Sequence, residues 1–468
     1  VFENADECII LTSSYGVCQH YYAIVAGRFY HSETVLGVLQ RSGVSWAWNW
    51  RALGDLLQYG HTTGSDTLHP LIRRVPSASC LHFRGGRLTT RRLTWGDLHR
   101  SDEGTPARAV QHLIDEVSWI GQLDSRPPVV SMSGGYDSRL ILAALLALGQ
   151  KPRLLTMGAD LSSDVVISRA IASDLGLEHQ IVALEPDDYL RHAMRITAIT
   201  NGTKLANHWH TYIYVRLADF PHQQPLLVGT NGEFARSFYL QKLPLAPPTG
   251  RVGRPALLIL WAAKQKLSFR REELGHLHPS LREEFLPARR ITRARRVAAL
   301  CGNGGSNGLD RFYLEQRVRH FMGNGVRLYQ DSSAWRSPFL ARRWVEAVWS
   351  LDRRWKLASY WHRYALQATY PRLAAYPTSN ELASNVGYAS YSEWFRRQSV
   401  IDFVMDRALL LRDLIEPSAV ASILRRNVRS GARTELVAFL MTAAAWMANV
   451  NAVRMQPYLD SARLSSHA

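Results

Sequence analysis

An apolar run, Val129-Val130-Ser131-Met132, passes directly into Ser133-Gly134-Gly135-Tyr136-Asp137-Ser138, and residues 139–148 then continue with a helical apolar pattern. A strand turning into a helix over two adjacent glycines constrains the chain more than any other feature of the sequence. Neither glycine has a side chain to keep a ligand off the backbone, and their N–H groups can form an anion-binding nest where the helix begins. The surrounding pattern alternates in the same way. Residues 153–157 read as a strand, 164–175 as a helix, 179–184 as a strand and Leu226-Leu227-Val228 as a further strand. Such alternation implies an α/β parallel sheet, whose ligands sit beyond the carboxyl ends of the strands. The glycine loop lies at one of those ends.

The side chains of the loop suit a phosphate chain. Ser133 and Ser138 add hydroxyl donors, while Asp137 would repel phosphate unless a cation such as Mg²⁺ is shared between them. The alternative is an ordinary glycine turn, against which the strand, the helix and the Asp all speak. No Gly-Lys-Ser/Thr follows the glycines, so the other common phosphate loop is excluded. The segment resembles the PP-loop of the ATP pyrophosphatase superfamily, whose members adenylate a substrate and release pyrophosphate.

Composition sets the frame around this loop. The chain has 468 residues, 46% of them hydrophobic, enough for two or three domains and a large core. A net charge of +17 favours anionic ligands, although an Arg-rich proteome produces the same excess. Cys8, Cys18, Cys80 and Cys301 are widely spread and are read as reduced thiols of a cytoplasmic protein, with buried-thiol roles for Cys8 and Cys18. No apolar run is expected to reach the roughly 18–20 residues that span a bilayer. Residues 1–97 read as mainly β, with a hairpin at Gly85-Gly86, and the apolar spacing over residues 108–120 is helical. From about residue 245 the pattern is helical. It is interrupted by a glycine cluster at residues 302–308, read as a connector or a lid, and it carries a basic run at 288–296, read as a solvated helix face rather than a nucleic-acid patch. His208-Trp209-His210 is read as a polar strand face or loop, and the tryptophans at 335, 344, 349, 355 and 361 as core.

Outside the loop, several segments resemble the class B asparagine synthetase family, which includes β-lactam synthetases and lasso-peptide cyclases. Tyr15-Gly16-Val17, Tyr21-Tyr22, residues 53–60 and Arg74-Val75-Pro76-Ser77-Ala78 are similar to the later half of its glutaminase-type domain. Gly229-Thr230-Asn231-Gly232-Glu233 resembles the second active-site loop, and Arg336-Ser337-Pro338-Phe339-Leu340 with residues 360–370 the helical C-terminal signature. The resemblance implies a truncated, degenerate Ntn-type β domain over residues 1–97. It implies a PP-loop domain, adenine nucleotide alpha hydrolase-like, over residues 105–468, with its α/β core at about 125–240 and a mainly helical part at 245–468.

Carried over by position, Ser133, Gly134, Gly135, Asp137 and Ser138 would hold the phosphates of ATP, with Gly229 in the second loop. Met157 and Gly158 would lie near the adenine, and Asp137 and Glu233 would bind Mg²⁺. Glu233 stands where the family has an Asp. The implied reaction is adenylation of a substrate carboxylate, small-molecule or peptide, and its capture by an amine or ammonia as an amide. Three departures follow from the same comparison. The terminal Cys nucleophile of the family's glutaminases is missing, so the nitrogen is expected from elsewhere, including a partner protein. Thr230 stands where relatives place a Glu or Tyr that helps deprotonate the amine. No Lys occurs in Ala374-Ala375-Tyr376-Pro377-Thr378-Ser379, so Arg236 and Arg363 are the candidate cations, or else surface or ion-pair arginines. Intramolecular closure, as in β-lactam synthetase or lasso cyclase, and a catalytically degenerate ATP-binding subunit are the alternatives. Nucleic acid is the least favoured partner, since no RNA-binding module is recognisable.

Overall fold

The computed structural model describes residues 1–465 apart from 5, 95–97, 99–103, 219–223, 240–268, 270, 302–306, 331, 383–392 and 432. Most of the glycine cluster at 302–308 therefore lies outside the described residues.

The first part contains two antiparallel sheets. One has the order β1 (Phe2–Glu3), β2 (Glu7–Leu11), β6 (Ser79–Arg84), β7 (Arg87–Arg92), and the other the order β4 (Arg28–Ser32), β3 (Tyr21–Val25), β5 (Arg73–Arg74). Gly85 and Gly86, both at positive φ, make the expected β6–β7 hairpin turn. Two helices not expected from the sequence also occur here, α1 (Val35–Ser42) and α2 (Trp50–Tyr59). Each is capped by a side chain, Thr34 and Asn49, and each ends on a left-handed glycine, Gly43 and Gly60.

The second sheet system is parallel, in the order β10 (His179–Val182), β9 (Arg153–Met157), β8 (Val129–Ser131), β11 (Pro225–Leu227), β12 (Ala334–Arg336). The α/β reading is thus correct, with one added edge strand. Of residues 336–340, likened to a helical signature, Arg336 ends β12 while Pro338–Leu340 form a helical turn. Three residues carry too little pattern to announce a strand, and Pro338 ends the pairing just beyond it. Of the helices, α3 (Pro106–Gly121) starts on Thr105 with Pro106 in its first turn. Next, α4 (Tyr136–Ala147) is buried from Ser138 through Leu145, including every residue between, as a helix apolar on all sides must be. It packs on α3 and on the helix Tyr360–Thr369. Further helices of this part are α5 (Ser163–Leu175), α6 (Pro186–Thr200) and α7 (His210–Leu217).

Two further expectations are corrected. In the basic run, now part of the helix Pro287–Cys301, Arg289, Arg290 and Arg295 are exposed as a solvated face would be, but Arg293 is buried and bonds Asp55 at 3.0 Å, and Arg296 also pairs with Asp55. Asp55 is itself fully buried on α2, so these arginines join the first part to the helical part. An apolar stretch long enough to cross a bilayer does exist, Thr434–Arg454. It is 72% buried within the protein, packed against α6 and the turn Ala206–His208, and reads as a core helix. Cys8 is buried as expected, whereas Cys18 is exposed. His208 and His210 lie in helical turns around the fully buried Trp209 rather than on a strand.

Candidate active site

Strand order reverses at β8, which has β9 on one side and β11 on the other, and such a reversal opens a crevice at the carboxyl ends. The loop after β8 and the loop after β11 therefore leave the sheet side by side, in the register Leu226↔Val129 and Leu227↔Val130. Their closeness shows in the glycines. A Cβ on Gly232 would stand 2.6 Å from Asp137 Cγ, and one on Gly229 would stand 3.0 Å from Asp137 Cβ. Neither glycine has a positive φ. Both are small because Asp137, in the first turn of α4, reaches into the second loop.

The Asp137 carboxylate is bound at both oxygens. Arg236 Nη2 is 3.2 Å from Oδ2, and His362 Nε2 is 2.9 Å from Oδ1. The same Nε2 lies 3.2 Å from the Gly232 carbonyl; since both neighbours are acceptors, Nε2 carries the proton. Burial alone would raise the Asp137 pKa, but Arg236 and His362 outweigh it and the group is held below the usual carboxylate range. Glu233 Oε1 accepts from Tyr313 Oη at 3.2 Å and from Arg317 Nε at 3.4 Å. Burial, with Glu233 alongside, pushes the Tyr313 phenol well up, so it stays protonated as a donor.

The other sequence candidates fall around this centre. Ser133 and Ser138 bond each other, Oγ to Oγ at 3.1 Å, and Ser138 Oγ also accepts from the Ser133 N–H at 3.1 Å. The Gly134 N–H is donated to Asp164 Oδ1 at 2.8 Å, and Ser379 Oγ donates to the same oxygen at 2.5 Å. A Cβ on Gly134 would come 2.2 Å from Ser379 Oγ, so this glycine is required by packing. The Gly135 N–H bonds Ser133 Oγ at 3.3 Å. At the first turn of α4 the Tyr136 and Asp137 N–H groups meet no acceptor among the described residues, as first-turn N–H groups do when a helix start is left for an anion. Met157 and Gly158 end β9, next to β8; Gly158 has φ +147, and a Cβ there would meet Ser162 Oγ at 2.5 Å. Thr230 joins the loops through its carbonyl, which accepts from Ser337 Oγ at 2.6 Å.

Of the two candidate arginines, only Arg236 reaches Asp137. Arg363 is exposed and donates to the Ala358 carbonyl at 2.7 Å, and its neighbour His362 takes the place at the carboxylate. Sequence reasoning missed His362, Asp164, Tyr313 and Arg317. Asp164 opens a helix after a strand and was visible as an acidic first-turn residue; the other three come from distant helices and carry no local motif.

The family model described as asparagine synthase matches residues 118–222. That stretch is similar to an asparagine synthase domain. It runs from within α3 through β8, the glycine loop, β9, β10 and α7, and ends just before β11. No curated protein matches the chain. The family is one of ATP-dependent amide ligases, so the match supports ATP binding and ligation.

The donor set fits a magnesium ion. Asp137 and Glu233 offer hard carboxylate oxygens, Glu233 Oε2 meets no partner among the described residues, and each Asp137 oxygen keeps a lone pair beyond its one bond. Arg236 pairs with Asp137 and Arg317 with Glu233, which holds the two carboxylates in place.

Proposed function

We propose that this chain is an AMP-forming amide ligase: a substrate carboxylate attacks the α-phosphorus of ATP, pyrophosphate leaves, and an amine or ammonia then takes the acyl group. The observation that carries the reading is the seating of Asp137 between Gly229 and Gly232, with Glu233 next to it and the open first turn of α4 beside it. These contacts support a reading in which two carboxylates and an anion-binding helix start share one crevice. Asp137 and Glu233 would hold Mg²⁺, which neutralises charge on the leaving pyrophosphate. The residues of the chain do the rest by holding and orienting. Arg236 and His362 fix Asp137, and Arg317 and Tyr313 fix Glu233. Arg236, bonded to Asp137, would stand in for the missing Lys as the charge that faces developing negative charge.

The amine is proposed to come from outside the chain's own cysteine chemistry. Cys8 is 4% exposed in the sheet core, and burial, with Glu3 beside it, pushes its thiol up, the reverse of what a nucleophile needs. The test follows the nucleotide: Mg-ATP with a panel of carboxylates is expected to give AMP and pyrophosphate, and Asp137→Asn to abolish both. Formation of ADP would overturn the reading. Mass spectrometry of the product separates transfer to a second molecule from ring closure, which loses one water from a single substrate.

A further inference from the structure

Lys204 follows α6 in a turn and is 5% exposed. Its ammonium donates to the Phe321 carbonyl at 3.3 Å and stands 3.7 Å from the centre of the Phe321 ring. Among the described residues no carboxylate lies within ion-pair distance of it. An ammonium has three N–H donors, and among the described residues one oxygen acceptor and the Phe321 ring face meet them. A second buried lysine shows what a structural role looks like: Lys356, 3% exposed, sits 3.0 Å from Asp310 Oδ2.

The surroundings of Lys204 add positive charge. The Arg317 guanidinium lies 4.3 Å from the same Phe321 ring and 4.3 Å from that of Phe238. His208 stands edge-on to Phe321 at 5.1 Å. Burial first, and Arg317 next, pull the Lys204 pKa down to about 7, against the opposing pull of Glu233. The cluster is joined to the crevice, since Arg317 and Tyr313 both bond Glu233 Oε1 and Tyr313 feels the charge of Asp137 as well. A buried cation with unused donors, beside a second cation, is stable when an anion completes it.

We propose that Lys204, backed by Arg317, anchors a carboxylate group of the substrate, an inference that rests on the reading that Glu233 faces the reacting groups. A phosphate oxyanion has similar chemistry, so the test includes both. Acetate and pyrophosphate are titrated separately against the full chain and against Lys204→Met and Lys204→Arg, followed by saturation-transfer and ³¹P NMR, with Mg-ATP binding measured alongside. The expected result is acetate binding in the wild type and in Lys204→Arg, weakened at least about tenfold in Lys204→Met, with Mg-ATP and pyrophosphate affinity changed less than about twofold. Lys204→Met should also melt no lower than wild type, because it removes a buried charge without stranding a counter-ion. Acetate binding that is absent from the wild type or unchanged in Lys204→Met overturns the proposal. So does a lowered melting point, which marks a structural lysine, or a loss of pyrophosphate binding instead of acetate binding. If the wild type fails to bind Mg-ATP while acetate still depends on Lys204, the ligase reading falls and the anchor stands.

Discussion

At the scale of single residues, the site is organised around Asp137, and its two partners come from parts of the chain about a hundred and more than two hundred positions away. His362 reaches Asp137 from the helix Tyr360–Thr369 and is fully buried, whereas Arg363, the very next residue, faces solvent. This difference is testable. His362→Ala should lower pyrophosphate formation about 10–100-fold, the usual cost of losing a residue that orients a metal-binding carboxylate. Arg363→Ala should leave the rate within about twofold, as expected for an exposed side chain bonded only to its own helix start. Pyrophosphate release at saturating ATP measures both, and equal losses would show that the two residues act through the fold rather than through Asp137.

The sequence revealed the glycine loop because everything that defines it is local: strand, glycines, hydroxyls and Asp lie within ten residues. It did not reveal His362, because a histidine in an amphipathic helix has no local signature of what it faces. Thr230 was singled out for its side chain, yet the structure uses its carbonyl.

At the scale of elements, α4 and its contacts decide whether the loop keeps its shape. Arg139, fully buried, donates to four carbonyls: Gly134 at 2.7 Å, Pro377 at 2.6 Å, Tyr376 at 2.7 Å and Leu373 at 3.3 Å. It thereby clamps the segment 373–377 onto the glycine loop, where the family comparison had looked for a Lys. Arg139→Met should cost about 3 kcal/mol of stability, since it strands several buried acceptors at once. Urea denaturation followed by tryptophan fluorescence gives that number, and a cost below about 0.5 kcal/mol, the range of ordinary surface changes, would contradict the clamp. Helices and strands with a full period, such as α3, α5 and β9, were legible from spacing alone. The short β12 and the π-helical stretch Tyr313–Met322 were not. The first has only three residues, and the second breaks the 3.6-residue period that pattern reading relies on. Yet the π-helical stretch delivers Tyr313, Arg317 and Phe321 to the site, in keeping with the association of such stretches with function.

At the scale of the whole molecule, the two antiparallel sheets and the parallel sheet are parts of one packed body, joined through α2 and the helix Pro287–Cys301. Asp55 there accepts from Arg293 Nε at 3.0 Å and from Thr63 Oγ1 at 2.6 Å and pairs with Arg296, while Gly54 leaves room for the Arg293 guanidinium. Asp55→Ala should destabilise the protein by about 3–5 kcal/mol, because it takes a buried carboxylate partner from both Arg293 and Arg296. A shift in the urea midpoint at constant slope measures it, and an unchanged midpoint would show that the two parts are held together elsewhere. The sequence presented this basic run as a solvated face, since charge runs look alike whether water or a buried aspartate meets them.

The central claim concerns which phosphorus of ATP is attacked, and hydroxylamine tests it most directly because it captures any activated acyl group whatever the natural amine. With Mg-ATP, a panel of carboxylates and hydroxylamine, the wild type should form AMP, pyrophosphate and hydroxamate in equal amounts. Asp137→Asn should lower all three by on the order of 10²-fold or more. ADP and phosphate as products, or AMP formation that survives Asp137→Asn, would contradict the account.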